Sequence, residues 1–220
     1  MPFGCNINSG DDMNSKKCFV FAAGEYYNCE KPDVDGYVVA ADAGYKKLEE
    51  WGIVPDAVIG DFDSAQRPEN VDVIQLNPVK DETDTLEAVR LGIENDCTDF
   101  YIYGGTGGRS DHTFANIQLI TMLAKKGVKA RLLGNGEIMT VIHNSSIAFS
   151  ENSQGVVSVF SLCEKSEGVS EKGLKYLLDG YDMTNDYAIG VSNEFIGERA
   201  EISVKKGTLL VIYTDRATVE

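Results

Sequence analysis

Val58-Ile59-Gly60-Asp61-Phe62-Asp63-Ser64 carries the reading of the whole chain. Two β-branched residues and a glycine lead into two carboxylates spaced i, i+2. If Val58 and Ile59 end a buried strand, Asp61 and Asp63 stand where it emerges. Two like charges so close repel unless a cation lies between them. A hard divalent ion with oxygen ligands, Mg²⁺ above all, fills that role. Taken alone, the pair reads more readily as a solvated turn, because Asp favours turns. The neighbouring segments decide between the two.

Working upstream, residues 18–24 and 37–41 are short continuous apolar runs closed by turn signals. Each reads as a buried strand. Residues 45–51 read as a short helix stopped at Gly52. Downstream, residues 71–76 form a fourth strand. Thr83 or Asp84 caps a helix whose Leu86, Val89 and Ile93 mark one face. Residues 99–103 are a fifth strand, broken by Gly104-Gly105-Thr106-Gly107-Gly108-Arg109-Ser110. Residues 111–126 are the strongest helical pattern, with a stripe of Phe114, Ile117, Ile120 and Leu123/Ala124 and a stop at Gly127. Residues 129–133 make a sixth strand. Trp51 reads as packing for the short helix.

Strands alternating with helices argue a mostly parallel sheet covered on both faces. After Gly134 the texture changes. Residues 138–143, 147–149, 156–162, 200–204 and 208–214 are strand-like, with turns between them. The expected fold is therefore α/β: an N-terminal, mostly parallel α/β catalytic domain over 16–134, then a C-terminal all-β sandwich or barrel-like domain over 135–220. The polar residues 1–15 read as a flexible tail.

The net charge of -15 repels phosphate backbones, which argues against nucleic-acid binding. Five cysteines without tight spacing give neither a disulfide framework nor a zinc site. Cys18 and Cys163 read as small core residues, and a reducing cytoplasm fits. With no signal peptide and no run of 18 apolar residues, no membrane partner is expected.

In an open parallel sheet, ligands bind outside the carboxyl ends of the strands. Asp42 follows the second strand, Asp61 and Asp63 the third, Asp81 and Asp84 the fourth, and the glycine run with Arg109 the fifth. All would face one crevice. The glycine run is neither a Walker A loop nor Gly-x-Gly-x-x-Gly. It suits either a plain turn or a phosphate cradle built from backbone N–H groups and a helix start, with Arg109 adding a bidentate contact. Lys80 is a second candidate phosphate contact, although a lone lysine at a strand end is commonly surface. His112 is open to a substrate contact or a structural hydrogen bond, and His143 has no assigned role. Together these parts suit Mg²⁺-assisted phosphoryl-type transfer.

These residues resemble the thiamine pyrophosphokinase family. The resemblance rests on Ala41-Asp42-Ala43-Gly44, Gly60-Asp61-Phe62-Asp63-Ser64, Lys80-Asp81-Glu82-Thr83-Asp84 and Tyr103-Gly104-Gly105-Thr106-Gly107-Gly108-Arg109-Ser110-Asp111-His112. Gly173-Leu174-Lys175-Tyr176 and Val191-Ser192-Asn193-Glu194-Phe195 extend it into the second half. It implies transfer of the β,γ-pyrophosphoryl group of ATP to the hydroxyethyl oxygen of thiamine, with AMP released, by a homodimer. It implies that Asp61, Asp63 and Asp84, with Asp42 close by, hold Mg²⁺ and carry catalysis. Lys80, Thr83, Gly104, Gly105, Thr106, Gly107, Gly108 and Arg109 would bind ATP. Asp42, Asp111, Tyr176, Ser192 and Asn193 would bind thiamine, Tyr176 and Ser192 from the partner subunit's β domain. Two positions depart from the family: Tyr176 stands where some members carry Trp, and Leu177 replaces a common Pro. Among alternatives, the same carboxylates would serve a Mg²⁺-dependent phosphohydrolase or a kinase of another small alcohol. A thiamine or nucleotide sensor without turnover also remains open.

Overall fold

The structure is a computed structural model that describes residues 15–27, 29–60, 72–75 and 82–220. The chain is a mixed α/β protein that divides into two compact units. Among the described residues, one lies within 15–119 with Val128–Asn135, and the other is Ile120–Gly127 with Gly136–Glu220.

The first unit contains β1 (Lys17–Phe21), β2 (Tyr37–Ala41), α1 (Gly44–Trp51), β3 (Ala57–Gly60), β4 (Asp72–Gln75), α2 (Asp84–Glu94), β5 (Asp99–Tyr103) and β6 (Lys129–Gly134). Helix α3 (Ser110–Lys125) begins in it. Its strands run in the order β6-β5-β1-β2-β3-β4, and the adjacent pairs are parallel. The apolar runs recognised in the sequence are strands buried along almost their whole length: in β1 only Lys17 is part-exposed, and β5 is buried throughout. Phe19 stacks on Tyr101 and Phe21 on Tyr103, each with ring centroids 5.1 Å apart. Burying each such ring stabilises the unit by about 1.5–3 kcal/mol. Trp51 meets Phe21 and Tyr26 edge-on, so it packs α1 against the end of β1.

The α2 cap falls where the sequence places it, but the covered faces of both longer helices differ in part from the periodicity reading. Thr83 is the N-cap of α2, its hydroxyl accepting the Leu86 N–H at 3.2 Å. The buried face of α2 is Thr85, Ala88, Val89 and Gly92, whereas Ile93 is 38% exposed. Along α3 the buried positions are Asn116, Leu119, Ile120 and Leu123, and Phe114 is 62% exposed. In α2 small residues occupy most of the covered face, so hydropathy alone points a fraction of a turn away, while in α3 Ile120 and Leu123 of the expected stripe are buried and Leu119 and Asn116 join them.

The second unit is built of strands: β7 (Glu137–His143), β8 (Ser146–Phe149), β9 (Val156–Ser161), β10 (Lys165–Lys172), β11 (Leu178–Thr184), β12 (Gly190–Glu194), β13 (Ala200–Ser203) and β14 (Thr208–Thr214). They pair antiparallel in two sets, β12-β9-β14-β7 and β11-β10-β13-β8. Strands β10, β11 and β12 have no counterpart in the hydropathy pattern. Strand β11 is Leu-Asp-Gly-Tyr-Asp-Met-Thr and mostly exposed, so no alternation of apolar residues announces it. Cys163 is not a core residue: it is part-exposed, and its thiol meets the Lys165 carbonyl and the Ser166 hydroxyl.

Candidate active site

The register of the parallel strands gathers their carboxyl ends on one rim. Phe21 lies level with Ala40 and with Tyr103, Ala41 with Ile59, and Gly60 with Gln75. Strand β1 is the point where the order reverses: β2, β3 and β4 extend to one side, β5 and β6 to the other. That reversal is where open α/β sheets bind ligands.

The two loops that leave the rim at this point are sewn together. Gly24 N–H donates to the Gly104 carbonyl at 2.8 Å and Glu25 N–H to the Thr106 carbonyl at 3.2 Å. Tyr26 donates its hydroxyl proton to the Ala22 carbonyl at 2.6 Å, and burial pushes that phenol above its ordinary value. A Cβ on Gly24 would collide with the Gly104 carbonyl oxygen, so only glycine permits this approach. From the other side Asn116, buried in α3, donates to the Gly105 carbonyl at 2.8 Å. Gly24, Tyr26 and Asn116 were not singled out from the sequence. The one available signal was a polar Asn inside the helical stripe of α3.

The glycine loop itself takes left-handed φ at Gly104, Gly107 and Gly108, values closed to most side chains. Gly104 and Gly105 are buried, and Thr106 is half-buried against the Glu25 backbone. Gly107, Gly108 and Arg109 are exposed, so these three present the loop to solvent. The Arg109 carbonyl accepts the Thr113 N–H at 3.2 Å, fixing the loop to the first turn of α3. Arg109 forks onto Asp111, with Nε to Oδ1 at 3.1 Å and Nη2 to Oδ2 at 2.6 Å. Asp111 Oδ1 also accepts the His112 N–H at 3.0 Å, which gives His112 a structural hydrogen bond.

On the other side of the switch point, Asp42 caps the end of β2. Its N–H donates to the Ile59 carbonyl at 2.7 Å, and it holds φ +50 while remaining exposed. Asp is one of the few residues other than glycine that take that conformation readily. Asp84 is the first residue of α2, beside the Thr83 cap. Asp61, Asp63, Lys80 and Asp81 lie outside the described residues. Among the described residues, no three His, Cys, Asp or Glu side chains cluster to hold a metal ion. Asp42 and Asp84 are the described members of the expected carboxylate set.

In the second unit, Tyr176, Ser192 and Asn193 come together although 16 to 17 positions separate the tyrosine from the pair. A register shift between Gly190 and Asn193 bulges β12 and holds Ser192 at φ +58. A bulge bends the strand and re-aims the side chains at it. Ser192 is exposed, its N–H on the Ser158 hydroxyl at 3.0 Å, and Asn193 is buried at 4% exposure. The Asn193 amide accepts from Tyr176 N–H at 2.9 Å and Glu194 N–H at 2.9 Å. It donates to the Tyr176 carbonyl at 2.6 Å and to Glu171 Oε2 at 2.8 Å. The Tyr176 ring is 60% exposed, with Lys175 Nζ 5.6 Å from its centroid.

Two family descriptions match the chain in succession. "Thiamin pyrophosphokinase, catalytic domain" matches residues 33–132 and "Thiamin pyrophosphokinase, vitamin B1 binding domain" matches residues 144–209. The chain belongs to the thiamin pyrophosphokinase family. It is 30% identical over 196 residues to a Bacillus subtilis (strain 168) protein named thiamine pyrophosphokinase, covering 82% of this chain and 91% of that one. A crystal structure of thiamine pyrophosphokinase from Bacillus subtilis superimposes with a TM-score of 0.81 at 27% identity, covering 90% of this chain and 99% of that one. A thiamin pyrophosphokinase family protein from Enterococcus faecalis gives 0.77 at 29% identity, covering 91% and 99%. The yeast thiamin pyrophosphokinase, at 16% identity and a TM-score of 0.71 over 91% of this chain and 87% of that one, shares the fold. No helix among the described residues is long and apolar enough to cross a membrane.

Proposed function

We propose that this chain is an enzyme that transfers the β,γ-pyrophosphoryl group of ATP to the hydroxyethyl oxygen of thiamine, giving thiamine diphosphate and AMP. The observation that carries the reading is the succession of both family domains, catalytic then vitamin-binding, in a single chain. Residues 16–134 form the ATP- and Mg²⁺-binding catalytic domain and residues 135–220 the thiamine-binding domain. Two copies act as a homodimer, with Tyr176 and Ser192 reaching thiamine held on the partner's catalytic domain. A reducing cytoplasm, which suits the free cysteines Cys18, Cys29, Cys97 and Cys163, is the proposed location.

The thiamine hydroxyl attacks the β-phosphorus in line. An O–Pβ bond forms, and the bond from Pβ to the oxygen kept by AMP breaks. The hydroxyl proton passes to a carboxylate, Asp63 or Asp84. Gly107, Gly108 and Arg109 hold phosphate oxygens, and Asp111 lines the thiamine side. Asp42, Asp61, Asp63 and Asp84 are all hard oxygen donors, the chemistry that Mg²⁺ requires. When bound there, Mg²⁺ neutralises charge on the triphosphate. Positioning and charge stabilisation supply most of the rate in such transfers.

The test is product analysis with purified chain, ATP, thiamine and Mg²⁺. AMP and thiamine diphosphate in equal amounts support the reading. ADP or inorganic phosphate as the nucleotide-derived product points to another phosphotransferase or a hydrolase, and binding without turnover points to a sensor.

A further inference from the structure

Glu171 is a charged residue in an expensive place. It sits in β10, paired with Leu178 of β11 on one side and Ile202 of β13 on the other, and is 1% exposed. Its Oε2 accepts the Asn193 amide at 2.8 Å, while Oε1 is buried without a hydrogen-bond partner among the described residues. Burial pushes its carboxyl above the ordinary glutamate value, and the Asn193 hydrogen bond offsets only part of that. A leucine or methionine would fill the position without a desolvation penalty. A buried polar group that costs stability calls for a role outside stability.

The role is visible in what Asn193 does. Both ends of its side-chain amide grip Tyr176, the carbonyl oxygen taking the Tyr176 N–H and the NH₂ giving to the Tyr176 carbonyl. Reversing that amide would set donor against donor and acceptor against acceptor. Glu171 Oε2 is the side-chain acceptor that fixes the NH₂ end. The rest of the Tyr176 segment is pinned to the same strand. Lys175 N–H donates to the Glu194 carbonyl at 3.0 Å, Lys175 Nζ pairs with Glu194, and Leu174 bridges Phe195. At Gly173 the backbone passes so close to the Arg199 carbonyl that no side chain fits. A half-exposed ring is therefore carried on a backbone held at both its N–H and its C=O by one oriented amide. Asn193, buried and fully engaged, has no group left for thiamine.

We infer that Glu171 and Asn193 are positioning residues, whose hydrogen bond sets the Tyr176 ring at the height and angle at which it receives thiamine. This rests on the assignment of Tyr176 to the thiamine site. The two act through Tyr176 and touch no reacting atom, so they govern thiamine KM and leave the chemical step alone.

Steady-state kinetics on the full-length protein tests this, with thiamine and ATP varied separately. Glu171→Leu raises thiamine KM about tenfold, the size of one lost buried hydrogen bond, while ATP KM and kcat stay within about twofold of wild type on the same scale. Glu171→Gln keeps a carbonyl acceptor for Asn193 and recovers a near-wild-type thiamine KM. Unchanged thiamine KM in Glu171→Leu, or a Gln variant as impaired as the Leu variant, overturns the inference. Should Glu171→Leu fail to fold, Asn193→Asp carries the test. It sets a carboxylate against Glu171 and raises thiamine KM, and Glu171→Gln combined with it restores a donor and lowers KM again. A thiamine KM untouched by Asn193→Asp overturns the inference too. Tyr176→Ala separates the two levels: if it leaves thiamine KM unchanged, the thiamine site itself is misplaced. If it raises KM while Glu171→Leu does not, only the positioning role falls.

Discussion

Arg109 and Asp111 grip each other across a single intervening residue, guanidinium on carboxylate through two parallel hydrogen bonds of 3.1 and 2.6 Å. Both side chains are exposed, at 73% and 63%. A solvent-exposed pair of this kind is held weakly and exchanges partners readily. The guanidinium that would bind phosphate is thus kept at the mouth of the glycine loop by a carboxylate that would face thiamine.

From this pairing the two substrates should separate by mutation. Arg109→Ala is expected to raise ATP KM by about tenfold or more, because a bidentate phosphate contact is lost. Asp111→Asn is expected to act chiefly on thiamine KM. Initial rates with each substrate varied in turn check both. The Arg109 hydrogen bond holds the Asp111 carboxyl below the ordinary aspartate value of 3.8. A depressed folded value means the pair persists above that pH and loosens only as pH falls through the lower one. No pH dependence of activity near neutrality is therefore expected from Asp111.

For the metal, Asp61→Ala and Asp84→Ala are expected to abolish turnover and leave the fold intact. Asp84 follows the Thr83 cap, whose hydroxyl already satisfies the Leu86 N–H, so α2 does not depend on the Asp84 side chain for its start. Near-normal kcat in either variant at saturating Mg²⁺ would refute the assignment. By contrast, Thr83→Ala removes the cap and should cost about 1 kcal/mol of stability, read from denaturant unfolding.

Loop geometry makes a sharper case at Gly24. Its Cβ position is occupied by the Gly104 carbonyl, a backbone atom that cannot swing aside. Gly24→Ala should push the glycine loop off α3, weakening ATP binding far more than thiamine binding. An unchanged ATP KM in a folded Gly24→Ala protein would show that the two loops are not coupled.

At the opposite edge, Asp99 and Arg131 form a buried ion pair of 2.5 Å. Tyr101 donates its hydroxyl proton to Asp99 and lies under the guanidinium. Asp99→Ala takes a carboxylate away from a buried guanidinium and should destabilise the protein by up to about 3–5 kcal/mol. Any kinetic loss should vanish at temperatures where the variant stays folded, since the pair lies away from the ligand rim.

Glu171 predicts a pH signature of its own. Its ordinary value is 4.5, and burial raises it in the folded state. Between those two values the folded chain keeps a proton that the unfolded chain has lost, so its contribution to stability falls as pH rises. Glu171→Gln has no such loss. The stability of the Gln variant relative to wild type should therefore grow as pH rises from the ordinary value of 4.5 through the raised folded value, then level off. A constant difference across that range would mean that Glu171 is not buried as described.

How much of this could be read beforehand differs by element. Strands β1, β2, β3, β5 and β6 were legible because a strand buried on both faces must be apolar throughout. The α1 stop at Gly52, the Thr83 cap and the glycine loop were legible because few residues suit those backbones. The polar strands β10, β11 and β12 were not. Their ladder hydrogen bonds belong to the backbone, and exposed side chains such as Tyr181 and Asp182 leave no period to detect. Tyr176 and Ser192 entered through resemblance alone, and nothing in the one-dimensional pattern announces Glu171 beneath them. The bonds from the Gly24 loop to the glycine loop join segments about 80 positions apart, a scale at which local patterning is silent, whereas Asn116 reaches Gly105 from only 11 positions away.

The central claim concerns which phosphorus thiamine attacks. The direct measurement follows ATP labelled separately at the α- and γ-phosphorus through one turnover with thiamine and Mg²⁺. Transfer at the β-phosphorus predicts that the γ-label moves entirely to thiamine diphosphate while the α-label stays in AMP. A γ-label found in thiamine monophosphate, or released as inorganic phosphate, would contradict the account.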